Sequence, residues 1–160
     1  MKNITEIQNA IYFVNDGETD LLTGSMSPNL FNQFVRRDAE LADRNGTKLA
    51  IISVKIKINE LVPSEILDNQ INTITSDVES LLIKLSFQLS KAIRQSDCLA
   101  RTSKLGFWIL VTYENINNLE VLISRILEKT SIPTVINFIP RSGNQTQLSW
   151  YENIDNSHFN

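Results

Sequence analysis

Apolar positions recur along this chain with two different periods, and the switches between them mark its elements. Ile7, Ala10, Ile11 and Val14 stand at helical spacing and Asn15-Asp16-Gly17 supplies a stop, which predicts a short opening helix over Glu6 to Val14. Ser27-Pro28 reads as an N-cap with proline at the first helical position. Leu30, Phe31, Phe34, Val35 and Leu41 then form one apolar face, and Gly46 can close that helix in the left-handed conformation. From Lys48 to Ile58 the period drops to two. Ile52, Val54, Ile56 and Ile58 share one face and Ser53, Lys55 and Lys57 the other, which predicts a strand with one buried face.

Asn59 to Ser76 is polar and poorly periodic, and Ser76-Asp77-Val78-Glu79 reads as a capping box opening a helix that turns Leu81, Leu82, Leu85, Leu89 and Ile93 inward. Cys98 to Thr102 and Gly106 to Thr112 form a predicted hairpin around Ser103, Lys104 and Leu105. A helix carrying Leu119, Leu122, Ile123, Ile126 and Leu127 and a strand over Ile132 to Ile139 complete the periodic part. Taken from Lys48 the order is strand, helix, strand, strand, helix, strand. This predicts an α+β fold with a ferredoxin-like βαββαβ core, in which helices pack on one face of a mainly antiparallel sheet. After Arg141-Ser142-Gly143-Asn144 only Leu148, Trp150, Tyr151 and Ile154 are available to pack. The two adjacent aromatics either close over the sheet or mark a protein contact.

Composition narrows the function classes. The chain has 160 residues, 42% of them hydrophobic and 21% charged, which suits one ordinary globular core. Net charge is −3 and the basic residues are scattered, so neither nucleic acid nor a membrane surface is an expected partner. Met1 to Glu6 has no cationic stretch leading into an apolar run, which predicts a cytoplasmic chain. A lone Cys98 and a lone His158 offer neither an internal disulfide nor a zinc cluster.

Three segments resemble the GGDEF family of diguanylate cyclases in order and spacing. They are Asp20-Leu21-Leu22-Thr23-Gly24, the strand through Ile51 to Ile56, and Arg94 to Phe107, whose Arg94-Gln95-Ser96-Asp97 is similar to the family's RxxD motif before its signature hairpin. The resemblance covers about residues 20 to 140, and divides the chain into an N-terminal opening helix (1–19), a degenerate GGDEF-like domain (20–140) and a shortened C-terminal segment and tail (141–160).

The resemblance implies a chemistry that joins two GTP molecules, with divalent metal ions held by carboxylates. Here Lys55 stands where the strand-end Asp is expected, Ser103 and Lys104 replace the signature glycines, and Leu105 and Gly106 replace its acidic pair. An ammonium repels a cation and leucine offers it no oxygen, so no catalytic residue, metal or cofactor is expected. A rival reading gives Lys55 and Lys104 to GTP phosphates without metal.

The family's second site binds the product, cyclic di-GMP. Arg94 and Asp97 match its RxxD part, and a gap-free alignment puts Arg125 at its further arginine. Arginine can stack on guanine and aspartate can accept from its N–H groups, while the plainer account is an exposed ion pair. Arg101 reads as a strand-end residue covering the sheet edge, Trp108 as core or interface packing, and Arg36-Arg37 as a solvated face. Two functions follow: a noncatalytic regulator that binds cyclic di-GMP at Arg94, Asp97 and Arg125 and acts on a signalling partner, or a nucleotide-independent interaction or homodimerisation module.

Overall fold

The computed structural model of this chain describes residues 2–157, so that His158 lies outside the described residues. Its elements are α1 (Lys2–Ala10), α2 (Pro28–Asn45), β1 (Lys48–Ile56), α3 (Ile58–Leu61), α4 (Ile71–Ala92), β2 (Cys98–Ser103), β3 (Gly106–Tyr113), α5 (Ile116–Lys129), β4 (Thr134–Pro140) and α6 (Gln147–Ser157). The four strands form one sheet in the order β2-β3-β1-β4, and every neighbouring pair is antiparallel. This is the expected βαββαβ core, with α4 and α5 as its two crossover helices.

The sheet is covered on both faces, which corrects the expectation of helices on one side only. Ile52, Val54 and Ile56 of β1 meet Phe107, Ile109 and Val111 of β3 under α1, α4 and α5. Leu49 and Ile51 project the other way and join Phe31 and Val35 of α2 with Trp150 and Ile154 of α6. β1 therefore has two buried faces rather than one, as suits a central strand of a sandwiched sheet. Its continuous run Leu49-Ala50-Ile51-Ile52 records this double burial.

Local chemistry explains where the helices begin and end. The Ser27 hydroxyl accepts from the Leu30 N–H at the start of α2, with Pro28 at the first helical position. Gly46 at φ 72° returns its N–H to the Ala42 carbonyl at the other end. Several expected boundaries shift. The opening helix runs over Lys2–Ala10 rather than 6–14, burying Ile7 and, just past its end, Ile11, while Val14 is exposed in the turn beyond. β1 stops at Ile56, and Ile58 turns into α3. α4 starts at Ile71, so Ser76–Glu79 is interior to it: a 3-10 turn over Asp68–Gln70 feeds directly into the helix, and Ile71, Ile74 and Val78 extend its apolar face.

Leu41 and Leu127, expected to face inward, are exposed on α2 and α5. The C-terminal segment, read as sparse, folds into α6 with Trp150 and Ile154 wholly buried and its indole N–H donating to the Ile139 carbonyl at 3.0 Å. Leu148, counted as available to pack, is 70% exposed. Of the two readings left open for the aromatics, Trp150 closes over the sheet, and Tyr151 joins it by packing edge-on against Trp108. No described helix is long and apolar enough to cross a membrane.

Candidate functional site

A cleft of about 840 Å³ opens where the start of β1, the end of β3, the first turns of α5 and the segment after α4 converge. Its volume lies within the roughly 300–1,000 Å³ of small-molecule sites. Lys48, Arg94 and Arg125 bring three cations to it, and Glu114 one carboxylate. The fold thus gathers Arg94 and Arg125 at one opening although they lie on different elements. Arg125 comes from the exposed side of α5, and neither it nor the Glu114 carboxylate has an ion-pair partner among the described residues.

Asp97 stands differently. Arg94 and Asp97 follow α4 in a tight turn, in which the Asp97 N–H donates to the Arg94 carbonyl at 3.0 Å. Asp97 Oδ2 accepts from the Arg94 backbone N–H at 2.9 Å and from its Nε at 3.3 Å, and Oδ1 accepts from Nη2 at 3.1 Å. Nη2 also donates to the Thr112 carbonyl at 2.6 Å. The arginine side chain stays 48% exposed while the aspartate is 1% exposed. Asp97 therefore orients Arg94 from behind and does not line the cleft.

The hairpin positions lie elsewhere on the sheet. Lys55 pairs with Gly106 across β1 and β3 and, with Ser103, Trp108 and Asp155, borders a hollow of about 150 Å³. Leu105 is buried in the core, and Lys104 bends away to donate to the Asn9 carbonyl at the end of α1 at 2.9 Å. A Cβ on Gly106 would stand 2.8 Å from Ser103 Oγ, a side-chain atom that can rotate away. Among the described residues no group of three or more His, Cys, Asp or Glu is positioned to hold a metal ion.

Arg101 is not a surface cover on the sheet edge; it is fully buried, because the 12–26 segment packs along β2, with Met26 bridging Ala100 and its carbonyl accepting from the Arg101 N–H. Nη1 donates to the Tyr12 carbonyl at 2.7 Å and to both oxygens of Asp20 at 3.2 and 3.3 Å, and Nη2 donates to the Lys104 carbonyl at 2.9 Å. The guanidinium lies 4.9 Å from the Phe13 ring centroid. Asp20 in turn accepts from the N–H and hydroxyl of Thr23, which closes the turn that ends at Gly24. Burial pulls the Arg101 guanidinium below its ordinary pKa and the Asp20 carboxylate pushes it back up. Nothing local to either residue announces this pairing. Trp108 packs edge-on against Phe31 and Tyr151, and Arg36 and Arg37 are exposed on α2, where Arg37 pairs with Asp38.

The sheet order, the crossover helices and the hairpin after Asp97 together define the fold of GGDEF domains, and solved structures agree. The GGDEF domain of DgcB from Caulobacter crescentus in complex with c-di-GMP aligns with a TM-score of 0.74 at 15% identity, over 92% of this chain and 91% of that one. The FimX GGDEF domain from Pseudomonas aeruginosa aligns with a TM-score of 0.70 at 14% identity, over 89% of this chain and 90% of the other. The diguanylate cyclase SiaD of Pseudomonas aeruginosa, solved with its activator SiaC, aligns with a TM-score of 0.67 at 13% identity; 97% of this chain covers 57% of that one. By fold this chain is a GGDEF-like domain. No family model matches its sequence, and no curated protein does.

Proposed function

We propose that this chain is a catalytically inactive GGDEF-like signalling domain that binds cyclic di-GMP in the cleft between Arg94 and Arg125 and regulates a partner protein. The observation that carries this reading is the convergence of Arg94, Arg125 and Lys48 on one cleft of ligand size. Cyclic di-GMP is a dianion with two guanine faces, and arginine can serve both, by stacking on the base and by paired N–H donation to phosphate. The DgcB structure, which holds that ligand, supports the choice.

Inactivity rests on the hairpin. The donors around Lys55 do not fit a divalent cation: an ammonium repels it, Leu105 is turned into the core, and among the described residues Asp155 alone brings a carboxylate to the hollow. A hollow of about 150 Å³ is also small for a nucleoside triphosphate. The same reading makes the chain a cytoplasmic protein whose partner is another signalling protein.

One observation favours a second reading, an interaction or dimerisation module that binds no nucleotide. Phe87 and Ile83 stand 63% and 46% exposed on α4, beside a hollow of about 430 Å³ bordered by Thr23, Met26 and Leu99. Isothermal titration with cyclic di-GMP separates the two. We predict micromolar binding that is lost in both Arg94→Ala and Arg125→Ala. No heat from the parent protein at high ligand concentration would leave the interaction module standing.

A further inference from the structure

Guanine differs from adenine in the edge it offers: a ring N–H and an exocyclic amino group side by side, which call for an acceptor with two oxygens, whereas adenine lacks that pair of donors. Asp97 is the carboxylate that the GGDEF resemblance suggests, yet its oxygens already take three N–H contacts from Arg94 and its side chain is 1% exposed. Hidden behind Arg94, it has almost no exposed surface from which to meet a ligand. Glu114 is in the opposite situation. Its backbone is fixed on both sides, the N–H donating to Asn118 Oδ1 at 3.3 Å and the carbonyl accepting from Lys48 Nζ at 3.1 Å. Its carboxylate is exposed at the cleft and accepts no hydrogen bond from any described residue.

We propose that Glu114, not Asp97, is the carboxylate that reads the guanine edge in this cleft, and that Lys48 joins Arg125 as a counter-charge for the ligand's phosphates. The inference rests on the cyclic di-GMP reading of the cleft. It adds a division of labour: Asp97 positions Arg94, Glu114 gives base specificity, and Lys48, with protons beyond the one given to the Glu114 carbonyl, supplies charge without specificity. A carboxylate in a site for a dianion is unfavourable on charge alone, so its presence is explained only if it makes bonds that the cations cannot.

The test is titration of the full chain with cyclic di-GMP and, separately, cyclic di-AMP. Glu114→Gln, at an exposed position and nearly isosteric, should lose about 10–100-fold in affinity for the guanine ligand, as fits the loss of charge-assisted hydrogen bonds. Its affinity for cyclic di-AMP should hold or rise, because a negative charge has gone. Lys48→Met should weaken both ligands by the same factor and flatten the salt dependence of binding. If Glu114→Gln keeps the parent's preference while a folded Asp97→Asn loses it, the Glu114 assignment is overturned and the cleft reading survives. If the parent chain binds neither ligand, both fall together.

Discussion

Arg94 stands just before β2 and Arg101 within it, and each is paired with an aspartate. The structure makes opposites of them. Arg94 sits past the end of α4 with nearly half of its side chain in water and its aspartate hidden behind it. Arg101 has no exposed surface, and its aspartate comes from Asp20, on the far side of the domain in sequence. A pair whose arginine stands half in water is screened, and water can replace that arginine, whereas a fully buried charge left unpaired is costly, so the two arginines should differ in what their loss does. One is free to meet a ligand. The other ties the opening segment to the hairpin.

The sharpest way to break that contrast is Arg101→Ala. It would leave Asp20 buried without its partner and strip donors from the Tyr12 and Lys104 carbonyls. We predict a loss of about 3–5 kcal/mol in urea unfolding. A loss below about 1 kcal/mol would mean that water reaches the pair and that the two arginines are not different in kind.

Trp150→Ala comes next and asks whether α6 belongs to the domain as firmly as the 12–26 segment does. Removing a wholly buried indole from the face shared with Phe31, Val35 and Ile51 should cost about 3–5 kcal/mol, at the lower end if Tyr151 collapses into the space. A small effect in the same unfolding experiment would make residues 141–157 an accessory to the core rather than part of it.

The core order was legible because β1, the hairpin, α4 and α5 each carry a full period of apolar residues, and because Ser27-Pro28 and Gly46 are local signals with a mechanism. Errors arose where tertiary context decides. Ser76–Glu79 has the letters of a cap but sits inside a helix already started at Ile71. Trp150 and Ile154 stand four apart, the spacing of one helical face, but two such positions in a polar stretch are too few to set a period. The second buried face of β1 was present in Leu49 and Ile51, but an alternation count favours whichever face is cleaner. Of the candidate site, Arg94 and Arg125 could be named from the resemblance to the GGDEF family. Lys48 and Glu114 could not, since only the antiparallel pairing of β1 with β3 brings the start of one beside the end of the other. Asp20 with Arg101 is the same case across a longer interval.

The smallest expected effect is on the stability of Arg94→Ala, and it decides how the binding experiments are read. The variant removes an exposed guanidinium but keeps the backbone N–H that donates to Asp97 Oδ2, so the buried carboxylate retains its shortest contact in that turn. It also frees the Thr112 carbonyl, which lies at an exposed residue where water can replace Nη2. We therefore predict a change of about 0–1 kcal/mol in urea unfolding. Lost ligand binding in a protein of unchanged stability would assign Arg94 to the ligand. A loss of more than about 2 kcal/mol would instead make Arg94 a second Arg101, since only a charge that Asp97 cannot do without has that cost, and failed binding would then report a damaged turn.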